Sequence, residues 1–243
     1  RGRNPIRRAR GYAPAPVPLP FTAAADILAC GAQQKAAPCL VTGSSAFLSP
    51  HIGDLDGLDT VEHYEASLER MRRLFRIEPA VIAHDLHPDY ASTAFALAYR
   101  GAGVRRVAVQ HHHAHVVSCM VEHGVRGPVI GVAYDGTGYG ADGAVWGGEI
   151  LVADWAGFRR RGHLAHVPLP GGEAAVRRPY RMAVSHLLAL EDDDPEAGFA
   201  AFFATIPAAE RAMLRSLCET GFNSPPTSSI GRLFDAAAAL LGI

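Results

Sequence analysis

Four histidines stand within five positions of the segment VQHHHAHVVSCMVEHG, residues 109–124. They are His111, His112, His113 and His115. Residues four apart lie on one face of a helix, so His111 and His115 can reach the same metal ion. The alternative interpretation is that these histidines are only the polar first turn of a helix and bind no metal. The glutamate of an HExxH motif is absent, which disfavours a zinc protease, whereas a third, oxygen ligand would suit iron or zinc.

The segment AYDGTGYGADG, residues 133–143, offers a candidate for that oxygen ligand. We expect Asp135 at the end of an apolar strand, where its carboxylate would be exposed. Gly136, Gly138 and Gly140 predict a tight turn whose backbone N–H groups are free to bind a phosphate. The segment is neither a Walker A loop nor the GxGxxG of a Rossmann unit. A glycine-rich turn without a ligand is the alternative interpretation.

Further glycine pairs occur in WGGE, residues 146–149, and in PLPGGE, residues 168–173. The acids that follow these glycines, Glu149 and Glu173, are candidates to contact a ribose or a metal-bound water. Hairpin turns with solvated acids explain the same two patterns equally well. The residues alone therefore leave both interpretations open.

The segment TSSIGRLFDAAAALLGI carries a helix-start signal at residues 227–229. Gly231, Arg232 and Asp235 share a face or a turn of this helix and could face a cleft. An ordinary amphipathic helix accounts for most of the segment. Lys35, in the turn of the first predicted hairpin, could reach a phosphate, although a lone lysine on a turn is usually solvated.

The segment AHDLHPDY, residues 83–90, places polar side chains at the end of a predicted strand. A second metal site would use its two histidines and two aspartates. A hydrogen-bonded polar loop is the interpretation that we favour. The four side chains are His84, Asp85, His87 and Asp89.

Composition narrows the class of protein. The formal net charge is −1, which argues against nucleic acid as the main partner, although the segment RGRNPIRRAR at residues 1–10 is strongly basic. No apolar stretch approaches the roughly 18 residues that span a bilayer, and no signal peptide is apparent. The four cysteines lack CxxC spacing and have apolar neighbours, which predicts buried free thiols. We therefore expect a soluble cytoplasmic protein without a membrane partner.

The order of predicted elements favours an α/β fold. The first block reads as three strands, then helix, strand, helix and strand, followed by the histidine helix. The helix at residues 59–76 has helical apolar spacing, and AVIAHDL is the continuous apolar run typical of a buried parallel strand. A second block opens with strands in a meander, and helices are predicted around residues 173–191, 197–220 and 228–241. No GxSxG nucleophile motif is present.

Six motifs together resemble one family, the hydrogenase maturation carbamoyltransferases called HypF. In chain order they are FLSPHIGDL, IAHDLHPDYAST, VQHHHAHVVSCM, YDGTGYGADGAVWGGE, PLPGGE and TSSIGRLFDAAAALLG. The resemblance covers nearly the whole chain. It lies in the carboxyl-terminal domain of the family, which is itself similar to the universal tRNA threonylcarbamoyltransferase subunit.

The resemblance implies an ASKHA fold, in which two actin-like lobes flank a nucleotide cleft. Residues 1–23 would be the end of a YrdC-like domain and a linker. Residues 24–126 would form the first lobe with the metal-binding helix, and residues 127–243 a partial second lobe. The family carries a further aspartate ligand later in its sequence, and it usually has Asp and Glu where this chain has Glu173 and Arg178. We therefore expect a fragment that does not run the full reaction alone.

The resemblance also implies the chemistry. Carbamoyl adenylate, made from carbamoyl phosphate and ATP, would give its carbamoyl group to the C-terminal cysteine of the partner HypE. That group later becomes a cyanide ligand in [NiFe] hydrogenase. The implied ligands of a divalent metal, iron or zinc with magnesium as a further candidate, are His111, His115 and Asp135. The residues that we assign to nucleotide binding are Lys35, Gly136, Thr137, Gly138, Glu149, Gly171, Gly172, Gly231, Arg232 and Asp235.

Two alternative functions stay open from the sequence. An O-carbamoyltransferase of antibiotic biosynthesis would share the fold and the metal motif but use a small-molecule hydroxyl as acceptor. A nucleotide-binding module without catalysis would act as a docking surface for a partner. The order of the six motifs favours the HypF interpretation.

Overall fold

A computed structural model of the chain describes residues 15–190 and 194–243. The chain divides into two compact units, Arg1–Gly127 and Pro128–Ile243. The basic segment 1–10, which we assigned to the end of a YrdC-like domain, lies outside the described residues. Among the described residues, no helix is both long and apolar enough to cross a membrane.

The first unit contains one mixed sheet and three helices within its described residues. Its strands lie in the order β1-β4-β3-β2-β5-β6, with β2, β5 and β6 parallel and the remaining neighbours antiparallel. The elements are β1 (Val17–Pro18), β2 (Ile27–Ala29), β3 (Cys39–Thr42), β4 (Ser45–Leu48), α1 (Leu58–Phe75), β5 (Val81–Asp85), α2 (Ala91–Ala98), β6 (Arg105–Val109) and α3 (His111–Glu122).

The apolar patterns of the sequence explain the core of this unit. Strand β5 pairs in parallel with β2 on one side and β6 on the other, which confirms the prediction from its apolar run. Helix α1 buries Tyr64, Leu68 and Met71 on the face predicted from their spacing. The segment YASTAFALAYRGA, residues 90–102, predicts a helix that ends at its glycine, whereas helix α2 stops earlier, at Ala98.

In the second unit, a group of strands comes first in the chain and most of the helices follow. Strands β7, β8 and β9 form an antiparallel meander, which confirms the prediction, and the parallel strand β11 joins the start of β8. The elements are β7 (Val129–Tyr139), β8 (Val145–Ala153), β9 (Phe158–His163), β10 (Val167–Pro168), α4 (Glu173–Arg177), α5 (Tyr180–Leu188), α6 (Pro195–Gly198), α7 (Ala200–Phe203), α8 (Ala208–Thr220), β11 (Pro226–Thr227) and α9 (Ile230–Leu241).

The helices of the second unit are shorter than the sequence predicted. The helix expected at 173–191 is broken at Arg178 and Pro179, because proline has no N–H to continue the hydrogen-bond ladder. The helix expected at 197–220 is divided into α6, α7 and α8. The last helix starts as predicted, with Ser229 as its N-cap accepting a hydrogen bond from the Arg232 amide.

Candidate metal and nucleotide site

The histidine run forms the first turn of α3. Strand β6 ends at Val109, and Gln110 caps the helix by accepting a hydrogen bond from the His113 amide at 2.9 Å. The side-chain nitrogen of Gln110 lies 3.1 Å from Nδ1 of His112, which is fully buried. The cap therefore fixes where the run begins and turns His112 into the protein.

His111 and His115 point their Nε2 atoms at each other across one helical turn. The two nitrogens lie 3.2 Å apart. Two Zn–N bonds of the usual length in a tetrahedral site place their nitrogens about 3.3 Å apart. His111 is half-buried and His115 is exposed. The pair therefore has the donor type and the spacing of two ligands of one metal ion, as the i, i+4 spacing predicted.

Asp85 contacts the histidine pair from the neighbouring strand, a contact that the sequence reasoning missed. Its Oδ2 lies 2.7 Å from Nδ1 of His111. Strands β5 and β6 are adjacent and parallel, so Asp85 at the end of β5 lies beside the helix that follows β6. The signal in the sequence was an aspartate at the end of one strand and a histidine two residues after the end of the next strand.

The segment at residues 83–90 is a hydrogen-bonded polar loop, as favoured over a second metal site. The amide of His87 donates to Oδ1 of Asp85 at 2.9 Å, and the amide of Asp89 donates to Nδ1 of His87 at 3.2 Å. The ring of His87 stacks on Tyr90 with centroids 4.1 Å apart. The polar groups of this segment are thus bonded to one another, and the bond from the His87 amide holds the carboxylate of Asp85.

The glycine-rich turn predicted at residues 136–140 was wrong. Asp135 and the residues after it belong to β7, which runs on to Tyr139. Tyr134 pairs with Gly148 and Gly138 with Trp146, so residues 135–137 form a bulge opposite a single residue of β8. The chain turns only after this strand, where Gly143 has a positive φ of 81°.

The bulge also changes the role expected of its amides. The Gly136 N–H donates to Oδ1 of Asp135 at 2.7 Å, so it is already used within the segment. Gly138 is buried in the strand, and Thr137 is exposed. Of the predicted phosphate-binding residues in the bulge, Thr137 is therefore the one that faces solvent.

The glycines near the bulge allow three backbone segments to approach closely. A Cβ on Gly147 of β8 would lie 2.5 Å from the carbonyl oxygen of Asp135, and one on Gly231 of α9 would lie 2.8 Å from Cα of Gly136. The Ser229 hydroxyl donates to the carbonyl of Gly136 at 2.6 Å. These glycines therefore serve packing of β7, β8 and α9 rather than a turn.

The alternative interpretation, in which Glu149 is a solvated acid on a hairpin turn, was wrong. Glu149 belongs to β8 and is fully buried. Its carboxylate accepts from the Arg160 guanidinium at 2.6 Å, from the Ser228 hydroxyl, and from the Gly147 and Gly148 amides at 3.2 and 3.3 Å. Burial raises the pKa of Glu149, but these hydrogen bonds, led by that of Arg160, outweigh burial and lower it.

The PLPGGE segment leads into α4. Gly171 and Gly172 both have positive φ, 84° and 58°, which explains glycine at these positions. Their amides donate to the carbonyls of Asn223 and Leu169, each at 2.9 Å. Glu173 is exposed and pairs with Arg177 one turn later.

Arg232 and Asp235 lie together on the first turns of α9. Nε of Arg232 is 2.9 Å from Oδ2 of Asp235, and the Arg232 side chain is nine-tenths buried. Among the described residues, none accepts a hydrogen bond from Nη1 of Arg232. Lys35, in the first unit, is exposed on the turn between β2 and β3, with its amide bonded to Asp54.

The four cysteines are free thiols. Cys30 is buried, but Cys119 is exposed, so the prediction of burial was wrong for Cys119. Burial raises the pKa of Cys30 to about 12, with a smaller opposing effect of Tyr64. Burial also raises the pKa of Cys39 to about 12. A thiol with so high a pKa is a poor nucleophile at neutral pH.

Two family models match the chain, one in each unit. Residues 22–122 match the model described as the HypF Kae1-like domain. Residues 131–243 match the second subdomain of the model described as carbamoyltransferase, Kae1-like domain. The two matches share one family and follow one another along the chain.

Curated relatives carry the same family name. The chain is 44% identical over 238 residues to carbamoyltransferase HypF2 of Cupriavidus necator, covering 98% of this chain and 29% of the relative. It is 42% identical over 245 residues to carbamoyltransferase HypF of Rhodobacter capsulatus, covering 98% of this chain and 32% of the relative. The chain therefore spans about a third or less of the length of these relatives.

Solved structures agree with the sequence relatives. A crystal structure of full-length HypF in the phosphate- and nucleotide-bound form matches with a TM-score of 0.91 and 44% identity, over 98% of this chain and 30% of that one. The crystal structure of HypF from T. kodakarensis matches with a TM-score of 0.86 and 32% identity, over 98% and 32% of the chains. These matches confirm the predicted α/β fold of ASKHA type, and the chain belongs to the HypF carbamoyltransferase family.

Proposed function

We propose that this chain is the part of a HypF-type carbamoyltransferase that moves a carbamoyl group from carbamoyl adenylate to the C-terminal cysteine of HypE. The observation that carries the proposal is the histidine pair on α3, whose Nε2 atoms lie 3.2 Å apart in a chain of this family. The carbamoyl adenylate would be made from carbamoyl phosphate and ATP. The product would serve cyanide ligand synthesis in [NiFe] hydrogenase maturation.

The metal-binding part of the proposal assigns three ligands. His111 and His115 supply imidazole nitrogens from one face of α3, and Asp135 supplies a carboxylate oxygen from β7. Two imidazoles and a carboxylate suit iron or zinc. When bound, such a cation draws electron density from a phosphate or carbonyl oxygen of the substrate. The assignment of Asp135 rests on the family resemblance.

The transfer step follows from the chemistry of the substrates. The thiolate sulfur of the HypE cysteine attacks the carbonyl carbon of carbamoyl adenylate and forms a C–S bond. The bond between that carbon and the phosphate oxygen breaks, AMP leaves with the electron pair, and the thiol proton passes to solvent. The thiols of Cys30 and Cys39 of this chain are unsuited to this attack because burial raises their pKa to about 12. A nucleophile supplied by the partner fits that finding.

Several residues of the second unit would hold the nucleotide. Arg232 is supported best, because its buried guanidinium keeps Nη1 without a hydrogen-bond acceptor among the described residues and a phosphate oxygen would supply one. Thr137 is exposed on the bulge of β7. We assign Glu149 a positioning role, since its buried carboxylate is fully engaged by Arg160, Ser228 and two amides.

A carbamoylation assay tests the proposal. The full-length protein containing this chain is incubated with HypE, carbamoyl phosphate and ATP, and the C-terminal peptide of HypE is analysed by mass spectrometry. We expect a mass increase of one carbamoyl group, and its loss in a His111→Ala/His115→Ala variant that no longer retains iron or zinc by elemental analysis. The control is His123→Ala, an exposed histidine at the other end of α3. Unchanged transfer by the double variant would contradict the proposal.

A further inference from the structure

Asp85 is a buried carboxylate with one oxygen on the histidine pair. Its side chain is 5% exposed, and Oδ2 lies 2.7 Å from Nδ1 of His111. Its other oxygen, Oδ1, accepts from the amide of His87 at 2.9 Å. Burial of a carboxylate is costly unless its oxygens are hydrogen-bonded. Both oxygens of Asp85 are bonded, so the contact with His111 is part of a built arrangement rather than a chance approach of two surface groups.

The backbone holds Asp85 in this position. The residue ends β5, which pairs with β6 up to the pair Asp85 and Val109. The hydroxyl of Thr93, on α2, donates to the carbonyl oxygen of Asp85 at 3.3 Å. A ring nitrogen of His84 lies 2.7 Å from the same oxygen. The backbone of Asp85 is therefore held by the pairing of β5 with β6 and by the bond from α2.

The contact determines which nitrogen of His111 carries the proton. An ionised carboxylate can only accept hydrogen bonds, so Nδ1 of His111 must be the donor. The proton on Nδ1 leaves Nε2 of a neutral ring with its lone pair. Nε2 is the atom that lies 3.2 Å from Nε2 of His115. The lone pair of His111 is thus directed to the place where the proposed metal would bind.

We propose that Asp85 is a positioning residue, which holds the proton of His111 on Nδ1 and so presents Nε2 to the metal. This inference rests on the metal site of the proposed function and adds a residue that the histidine pattern does not contain. Carboxylates that accept from the second nitrogen of a ligating histidine typically contribute 10–100-fold to metal affinity. Asp85 stands 26 residues before His111.

The protonated nitrogen can be observed in the metal-free chain. Long-range ¹H–¹⁵N NMR of the imidazole nitrogens distinguishes the two tautomers, and a His111→Ala variant assigns the signals. We expect His111 to carry its proton on Nδ1 in the unsubstituted chain and in Asp89→Ala, an exposed carboxylate of the same loop. We expect the proton on Nε2 in Asp85→Ala. A proton on Nε2 in the unsubstituted chain would overturn the inference.

Metal affinity gives the second measurement. Zn²⁺ and Co²⁺ are titrated against a chelating dye, and the Co²⁺ absorption bands report the ligand set. We expect affinity to fall 10–100-fold in Asp85→Ala and less in Asp85→Asn, which keeps an acceptor oxygen, while Asp89→Ala and Asp89→Asn bind as the unsubstituted chain does. If Asp85→Ala fails to fold, the Asp85→Asn and Asp89→Asn pair decides, and equal affinities in that pair overturn the inference.

The two measurements separate this inference from the proposed function. Metal binding by the unsubstituted chain with no loss in the Asp85 variants would overturn the inference and leave the metal site standing. A full-length protein containing this chain that binds neither metal would overturn both, whatever the tautomer of His111.

Discussion

Each unit contains a buried carboxylate paired with a basic side chain at nearly the same distance. In the first unit Asp85 lies 2.7 Å from His111, and in the second Glu149 lies 2.6 Å from Arg160. The surroundings of the two pairs differ. Glu149 bonds to the buried Ser228 and to the half-buried Arg160. The contacts of Asp85 lead instead through His111 to His115, which is exposed.

The difference separates a structural network from the proposed metal site. Glu149 joins β8 to β9 through Arg160 and to the start of α9 through Ser228, and it accepts two amides of its own strand as well. Arg160 also lies 4.0 Å from the ring centroid of Trp146. Such a network is satisfied without a ligand. The imidazoles of His111 and His115 instead place two ring nitrogens, the proposed metal ligands, together at the surface of their unit.

Removal of the Glu149 carboxylate should have the largest effect on the free energy of unfolding. Glu149→Ala leaves Nε of Arg160 and the Gly147 and Gly148 amides without the Glu149 carboxylate, and breaking a buried ion pair costs about 3–5 kcal/mol. Urea unfolding of the second unit, followed by circular dichroism, measures the loss. Glu173→Ala removes an acid from an exposed pair with Arg177 and should cost about 0–1 kcal/mol. Equal losses for the two variants would break the distinction.

A smaller loss is expected where the backbones of β7 and β8 meet. A Cβ at Gly147 would lie 2.5 Å from the carbonyl oxygen of Asp135, so Gly147→Ala must displace the bulge. We expect a loss of about 1–3 kcal/mol in the free energy of unfolding. Gly157→Ala is the matched control, since nothing lies within 4 Å of its Cβ position. If the glycines only formed a flexible turn, Gly147→Ala would be as stable as the control.

Neighbouring histidines of α3 test the comparison within one segment. His112 is fully buried beside Gln110, so His112→Ala should cost about 2 kcal/mol of stability. His115 is exposed, so His115→Ala should change the metal-free stability by less than about 0.5 kcal/mol. Thermal unfolding with and without Zn²⁺ measures both. Stabilisation by Zn²⁺ should disappear in His115→Ala, and its survival there would remove His115 from the proposed site.

Local patterns predicted much of the fold and one half of the site. The i, i+4 spacing placed His111 and His115 on one face of a helix. The capping pattern placed a helix start at residues 227–229, and Ser229 is the N-cap. Both features depend on residues within one or two turns of each other. The apolar run of β5 likewise predicted a parallel strand, and β5 does pair in parallel with both of its neighbours. A continuous apolar run indicates burial on both faces of a strand, whichever strands lie beside it.

The missed features depend on contacts between distant segments. Ser228 contacts Glu149 from 79 residues away, and Asp85 contacts His111 across 26 residues. The strand register decides such contacts, and the pairing of β8 with β9 shifts between Ile150 and Leu151. The bulge in β7 is a further case, because its glycines predict a turn when the sequence is considered alone. The bulge is recognised only from the pairing of β7 with β8. The sequence supplied no register for these pairs.

The smallest effect that we predict is a difference in acid sensitivity. Burial raises the pKa of Glu149, but the hydrogen bonds from Arg160, Ser228 and the Gly147 amide leave it below its ordinary value of 4.5. A carboxyl whose folded pKa is lowered stabilises the protein above its unfolded pKa, and this stability is lost as the pH falls through the folded pKa. The free energy of unfolding should therefore fall more steeply below about pH 4.5 in the unsubstituted chain than in Glu149→Gln. Urea unfolding at a series of pH values measures both slopes, and parallel slopes would mean that the network does not depend on the charge of Glu149.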